Sequence, residues 1–174
     1  MKYRKVEIFT GKTFKVPEHI QRLDNGSTHG WQLRYGRSKL FSDHTDDGKG
    51  AKAALALAEA ELLVRIDKLP APSRLRRDVS ANKSNDMPVG VSGPIARLRS
   101  GRSTTEYAFG VSIPRFGMKP TNRSVYIGTE STYSDERVEA ALAKAIELRN
   151  KAIRSYQIMT TKAKRSTSRI RERA

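Results

Sequence analysis

The chain has 174 residues, and its 34 Lys and Arg against 18 Asp and Glu give a formal charge of +16. Hydrophobic residues make up 37% of it, below the roughly 45–50% of an ordinary globular domain, so we expect thin cores. The absence of cysteine excludes disulfides and thiolate metal sites.

The charge excess indicates an anionic partner, and nucleic acid is the most frequent one for so basic a chain. No apolar stretch approaches the roughly 20 residues of a membrane span. The first residues lack the apolar core of a signal peptide. We therefore expect a protein with no membrane partner, located in the cytoplasm and associated with the nucleoid.

One order of elements occurs twice. Three short strand-like runs precede an Ala-rich helical run at 13–69, and the same order returns at 87–157. A repeated order of elements indicates the overall architecture more directly than any single residue. The sequence therefore predicts an α+β fold of two tandem modules, each a three-stranded antiparallel sheet packed on one C-terminal helix.

The first module, at 13–69, follows a short strand expected near 6–9. Its strands and helix are predicted at 20–23, 30–35, 38–41 and about 49–66. The Asn-Gly pair at 25–26 readily supplies the positive φ of a hairpin turn. Trp31 and Leu33 alternate with polar residues, which is typical of a strand with one buried face. In the helix the period is set by Ala54, Leu57, Ala58 and Leu62.

A change of composition separates the modules. Pro70 and Pro72 stop the first helix, and the Ser-, Arg- and Asn-rich segment 70–86 reads as a linker. At the other end, residues 158–174 are basic with little apolar content, so we expect a disordered tail.

The second module, at 87–157, repeats the pattern. Its strands and helix are predicted at 95–98, 107–113, 124–127 and about 134–157. Phe109 and Val111 alternate with small residues, which again indicates a strand with one buried face. Ser134 is placed to cap the helix, and acidic residues follow it in the first turn.

Each sheet has one face covered by its helix and one face bare. The alternation places Arg22, Gln32 and Arg34 outward in the first module, and Arg97, Arg99 and Ser112 outward in the second. Arg and Gln side chains hydrogen-bond base edges, and the major groove of B-form DNA admits strands as well as helices. A solvated sheet face rich in Arg is the plain alternative for any one of these residues.

The second module resembles the plant ethylene-response-factor (Apetala-type) DNA-binding domain and its bacterial and phage relatives. The matching residues lie at 89–92, at 125–129 (Val-Tyr-Ile-Gly-Thr) and at 135–143 in the helix. The likeness extends over 89–156, and the first module is a more divergent copy. Domains of this family lay a three-stranded sheet into the major groove. The resemblance implies that Arg97, Arg99 and Tyr126 face DNA.

We therefore predict sequence-preferring binding of double-stranded DNA, as a transcriptional regulator or DNA-organising protein of a bacterium, phage or mobile element. The predicted DNA-contacting residues are Arg22, Gln32, Arg34, Lys39, Arg97, Arg99, Arg102, Ser112, Arg115, Arg123 and Tyr126. Among them Lys39, Arg102, Arg115 and Arg123 are predicted to contact phosphates, and the basic tail would add affinity without specificity.

Other functions remain open from the sequence. An RNA- or ribosome-associated structural protein has the same composition, and integrase arm-binding and methylated-DNA-binding domains have a similar shape. The acidic loop at 43–47 also suggests a nuclease or recombinase accessory role, although its few histidines lack metal-ligand spacing. An acidic loop before a helix is more often a helix cap. We expect no catalytic residues, metal, cofactor or small-molecule substrate.

Overall fold

A computed structural model of the chain describes residues 1–73, 75–76, 78–79, 86–98, 101 and 103–172. Within these residues the fold is α+β, with three antiparallel sheets and two helices. The strands are β1 (Tyr3–Glu7), β2 (Thr13–Pro17), β3 (Ile20–Asn25), β4 (Thr28–Leu33), β5 (Lys39–Ser42), β6 (Val91–Leu98), β7 (Thr105–Arg115) and β8 (Met118–Thr129). The helices are α1 (Ala51–Lys68) and α2 (Asp135–Glu172).

The chain divides into two compact units. The first comprises residues 1–72 together with the end of the chain from Thr160, and the second runs from Ser73 to Met159. The sheets β1-β2 and β3-β4-β5 belong to the first unit, and β6-β7-β8 belongs to the second. Both three-stranded sheets and both helices were predicted from the alternation and the Ala-rich runs.

The hairpin β1-β2 is larger than the single short strand expected near 6–9. Its turn is closed by two backbone bonds, from the Ile8 N–H to the Lys12 carbonyl and from the Gly11 N–H to the Ile8 carbonyl, each 2.9 Å. Gly11 has a φ of +78°, a conformation that glycine adopts without steric cost. Ile8 and Val16 are buried in the core of the first unit, so the hairpin completes that core.

The core of the first unit lies between β3-β4-β5 and α1. Trp31, Leu33 and Tyr35 are fully buried, as the alternation predicts. The Trp31 indole N–H donates to the Ala51 carbonyl at 2.8 Å, which joins the middle strand to the start of α1. β3 and β4 are connected by a two-residue turn, as predicted, but the turn residues are Gly26 and Ser27, one position later than the Asn-Gly pair, and Asn25 ends β3.

The buried stripe of α1 differs in part from the prediction. It consists of Ala51, Ala54, Leu55, Ala58, Leu62 and Ile66. Leu57 was counted among the residues that set the period, but it is 63% exposed. Positions 51, 54, 58 and 62 already form one helical face, and Leu57 lies off that face.

The core of the second unit lies between one face of β6-β7-β8 and α2. It contains Val91, Phe109, Val111, Val125, Ile127, Ala141 and Ala145. The Ser134 hydroxyl accepts the Arg137 N–H at 3.4 Å, so Ser134 caps α2 as predicted. Small residues at 141 and 145 let the helix approach the sheet closely.

The prediction of a disordered tail at 158–174 is wrong, because α2 continues to Glu172. The end of this helix is held within the first unit: the Thr161 hydroxyl accepts the Ala71 N–H at 3.0 Å, and the Lys164 ammonium pairs with Glu18. Arg165 Nε donates to the Ile66 carbonyl at 3.2 Å. These non-local partners outweigh the low apolar content that indicated disorder.

The segment 70–86, predicted as a linker, is only partly described, since Arg74, Arg77 and residues 80–85 lie outside the described residues. Its first residues are packed into the first unit, where Ala71 is 4% exposed. No helix in the described part of the chain is long and apolar enough to cross a membrane.

Candidate nucleic-acid interface

The outer face of β6-β7-β8 is set by the register of its strands. Cross-strand partners in an antiparallel sheet point to the same side. Arg97 lies opposite Glu106, Ser92 opposite Gly110, and Ser124 opposite Gly110 on the other edge. Because Phe109 and Val111 point to the helix, these residues lie on the side away from it.

A depression of about 390 Å³ lies on this outer face. Its lining residues are Gly90, Val91, Ser92, Ile95, Arg97, Gly110, Ser112, Asn122, Arg123 and Ser124. The described residues of this lining include two arginines and no Asp or Glu. The lining therefore offers hydrogen-bond donors and positive charge to a ligand, with apolar contact only from a few small or aliphatic side chains. Glu106 lies outside this lining but on the same face, opposite Arg97.

Gly110 forms the floor of the depression at its centre, because it has no side chain. A Cβ at this position would lie 2.8 Å from the Ser92 hydroxyl oxygen and 3.4 Å from Ile95 Cδ1. The Ser92 hydroxyl donates to the Gly110 carbonyl at 3.4 Å. The small residues along β7 thus leave a shallow channel between the side chains of the two edge strands.

The predicted contact residues of the second sheet lie on or around this face. Arg97 and Ser112 line the depression, and Tyr126, opposite Ala108, is 53% exposed. Arg123 borders the depression from β8, but its cross-strand partner is Val111, so its side chain leaves the strand on the helix side and not on the outer face. Arg115 lies at the hairpin between β7 and β8, where its guanidinium contacts Met118 Sδ at 2.9 Å. The predicted contacts Arg99 and Arg102 lie outside the described residues.

Three residues of this face were missed by the sequence analysis: Ser92, Asn122 and Ser124. β8 was predicted to begin at 124, whereas it begins at Met118. Asn122 is paired with Ser112 in the longer strand. No alternation before Val125 signalled this extension, because residues 121–124 are all polar.

In the first sheet, Gln32 and Arg34 lie on the side opposite Trp31 and Leu33, as predicted. Arg34 is exposed, and its Nε donates to Gln32 Oε1 at 2.6 Å. Leu40 lies opposite Gln32 and is 42% exposed. This face therefore carries one arginine, one amide and one exposed aliphatic side chain at its centre.

The prediction that Arg22 points outward is wrong. Arg22 is the cross-strand partner of Trp31, which places it on the core side, and its side chain is only 5% exposed. Its guanidinium donates to both oxygens of Asp43, whose side chain is fully buried, and it also contacts Asp24. The guanidinium carbon lies 5.0 Å from the Trp31 ring centre.

Arg22 was misplaced because the wrong set of alternating residues in β3 was assigned to the core. Ile20, at 1% exposure, is the core residue of this strand, so Arg22 shares its side and Leu23 does not. The outward placement of Arg22 requires its neighbour Leu23 to point to the core, whereas Leu23 is paired with Gly30 and lies on the other side from Trp31. Lys39 also lies on the helix side, opposite Leu33, with its ammonium 4.9 Å from the Phe41 ring centre. Lys39 is exposed at the edge of this sheet and does not belong to its open face.

The charges around Arg22 are mutually stabilised. Burial disfavours the guanidinium charge, but hydrogen bonds to Asp43 and Asp24 outweigh burial and raise the pKa of Arg22. Burial also opposes the charge of Asp24, yet hydrogen bonds from Arg22 and His29 lower the pKa of its carboxyl group. His29 Nδ1 lies 2.9 Å from Asp24 Oδ1. This network neutralises Arg22 internally and leaves it no role in an external contact.

The acidic loop before α1 serves local structure. Asp43 is paired with Arg22, and the Asp47 carboxylate contacts the Lys49 ammonium at 2.7 Å. The hydrogen bond from Lys49 lowers the pKa of Asp47 to about 2. In the described ranges there is no group of three or more His, Asp or Glu side chains arranged to hold a metal ion.

Comparison of the chain with protein-family models, with curated proteins and with solved structures finds no match.

Proposed function

We propose that this protein binds double-stranded DNA with a sequence preference through the outer face of β6-β7-β8. The observation that carries the proposal is the depression lined by Arg97, Ser112 and Asn122, with no carboxylate in its described lining, in a chain of charge +16. A polyanion gains most from such a surface, because each neutralised phosphate releases counterions. The corresponding role is regulating transcription or organising DNA in a bacterium, phage or mobile element.

The chemistry of the face suits the edges of bases. Arg97 is the candidate for guanine, whose N7 and O6 accept two hydrogen bonds from a guanidinium. Ser112 and Asn122 provide shorter hydrogen-bonding groups within the depression. Tyr126, with half of its surface exposed, is placed for stacking or apolar contact at the edge strand. Arg115 and Arg123 are candidates for phosphate contacts that fix the register of the protein.

We further propose that β3-β4-β5-α1 and β6-β7-β8-α2 are two diverged copies of one module related to the ethylene-response-factor domain. Support comes from the shared order of elements and the shared antiparallel neighbours in both sheets. The first copy then contributes less to DNA binding, because Arg22 is internally paired and only Gln32 and Arg34 remain on its open face.

The test is selection from a random duplex pool with the purified full chain, followed by affinity measurements on the recovered site. The Arg97→Ala variant should lose about 1–3 kcal/mol of discrimination between the recovered and a scrambled site. The Arg154→Ala variant is the matched control, because it removes the same charge from an exposed position on α2. The Arg154→Ala substitution should lower the affinity for the recovered and the scrambled duplex equally and only slightly.

Salt dependence gives a second readout. If six to ten phosphates are contacted, the affinity should fall about 10³- to 10⁵-fold between roughly 50 and 200 mM salt. Competition with A-form RNA should be weak, because its major groove is too narrow and deep for a sheet. Failure to recover any preferred duplex, together with stronger binding to RNA, would exclude the proposal in favour of an RNA-associated role.

A further inference from the structure

Arg149 of α2 is buried, and no carboxylate among the described residues pairs with it. The residue is 8% exposed and lies on the side of the second sheet away from the outer depression. Its Nη1 donates to the Ser112 carbonyl, while its Nε is buried and has no hydrogen-bond partner within the described residues. A buried guanidinium with an unused donor is costly, because burial removes the hydration of its charge.

Arg22 and Arg149, both with buried guanidinium groups, differ in their surroundings. Arg22 contacts two carboxylates, and its pKa is raised. Burial lowers the pKa of Arg149, and no acidic group among the described residues offsets this burial. A counter-charge for Arg149 is therefore missing from the part of the chain that the structure describes.

A cavity of about 310 Å³ lies beside the Arg149 guanidinium. Its apolar walls are formed by Leu75, Pro88, Val89, Val91, Ile146 and Ile153. Ser73, Arg76, Asn150 and Gln157 supply the polar part of its lining, and Arg76 and Asn150 are exposed. The cavity thus combines one buried positive group and an apolar wall with polar residues, two of them exposed to solvent.

The approach of the guanidinium to the sheet depends on Gly90. A Cβ at this position would lie 2.7 Å from both the guanidinium carbon and Nε of Arg149. Gly90 also has a φ of +80°, which side chains rarely adopt. The turn that precedes β6 therefore has room for the guanidinium at this place.

We propose that this cavity binds a small organic carboxylate with an apolar body, whose carboxylate pairs with the Arg149 guanidinium. A monoanion balances the single buried positive charge, and the planar carboxylate matches the hydrogen-bonding edge of a guanidinium. Inorganic phosphate suits the cavity less well, because it has no apolar part to contact the aliphatic wall. The inference goes beyond the proposed DNA contact and does not depend on it.

The test uses the full chain without DNA, titrated with acetate, hexanoate and inorganic phosphate. Binding is followed by the NMR signal of the Arg149 Nε–H group and by thermal stabilisation. Hexanoate should bind more tightly than acetate, by up to about fourfold for each methylene group that becomes buried. Phosphate at the same ionic strength should leave the Nε–H signal in place.

Two variants complete the experiment. The Arg149→Met substitution should weaken hexanoate binding at least about tenfold, while the Arg154→Met substitution, at an exposed site on the same helix, should leave it unchanged. If R149M does not fold, Ile153→Phe decides, because the larger ring occupies the apolar part of the cavity and should weaken hexanoate more than acetate. Unaltered hexanoate binding by I153F or R149M, or an unmoved Nε–H signal in the unmodified chain, would overturn the proposal.

Discussion

Arg22 and Asp43 form a bidentate ion pair inside the first unit, with Nη1 2.9 Å from Oδ1 and Nη2 2.5 Å from Oδ2. Their side chains are 5% and 0% exposed. They connect the first strand of the three-stranded sheet to the loop that precedes α1. Because both groups are withdrawn from water, each depends on the other for its charge balance.

Removing one member of this pair should destabilise the first unit. Asp43→Asn is expected to lower the free energy of unfolding by about 3 kcal/mol, because it leaves a buried guanidinium with only Asp24 as its acidic partner. Urea unfolding followed by Trp31 fluorescence measures this unit specifically, since Trp31 is the only tryptophan. Arg34→Met, at an exposed position in the same unit, should change the value by no more than about 0.5 kcal/mol.

The double variant Arg22→Met/Asp43→Asn, compared with the single variants Arg22→Met and Asp43→Asn, provides the check on this reasoning. It removes both charges, so its loss of stability should be smaller than the sum of the two single losses. Additive losses would mean that the two residues act independently and that the ion pair is not the source of the effect.

Acid should weaken the first unit through Asp24. The folded-state pKa of this carboxyl group lies below its ordinary value of 3.8. The carboxylate therefore stabilises the fold above that ordinary value, and the contribution disappears as the pH falls through the lower folded-state pKa. Asp24→Asn should accordingly be less stable than the unmodified chain at pH 7, and the difference should shrink as the pH falls below about 4.

Measuring the urea midpoint by Trp31 fluorescence from pH 7 down to pH 2 tests this expectation. Asp46→Asn, in the exposed loop of the same unit, is the control and should have little effect at any pH. A difference between D24N and the unmodified chain that stays constant across the range would contradict a role for the charge of Asp24.

The helical end of α2 should contribute to the stability of the first unit. Arg165 Nε donates to the Ile66 carbonyl near the C-terminus of α1, where a positive charge is favourable. Arg165→Met should lower the free energy of unfolding by about 1 kcal/mol. Lys162→Met removes an equal charge from an exposed position three residues earlier and should have an effect below about 0.5 kcal/mol.

Trp31 fluorescence during urea unfolding again provides the measurement. Equal effects of the two substitutions would indicate that only the net charge of this segment matters. A larger effect of R165M supports the specific contact with α1, which no disordered tail would make.

Local alternation predicted the strands that form the two three-stranded sheets and the orientation of most of their residues. The middle strands were the easiest, because Trp31 and Leu33 in one and Phe109 and Val111 in the other alternate without interruption. In such strands the side of one residue fixes the side of all the others. In the edge strand β6, the outward placement of Arg97 depended on its alternation with Leu98, and its pairing with Glu106 agrees with that placement.

Arg22 and the end of α2 were not predictable in this way. β3 offers both Ile20 and Leu23 as core residues, and only the pairing with β4 decides between them. The buried partner of Arg22 is 21 positions away in sequence. The helical state of residues after Thr160 depends on contacts with Glu18, Ile66 and Ala71. Each of these outcomes is decided by tertiary neighbours that a short window of sequence does not contain.

Ser112 gives its carbonyl to Arg149 and its side chain to the outer depression. The proposed carboxylate-binding cavity and the proposed DNA-binding face thus lie on opposite sides of the same strand, β7. A carboxylate that draws the Arg149 guanidinium away from the Ser112 carbonyl would remove a hydrogen bond from Ser112. Ser112 also lines the outer depression, on the opposite side of the sheet. The two ligands would then influence each other's affinity through a single peptide group, without any rearrangement of the helix.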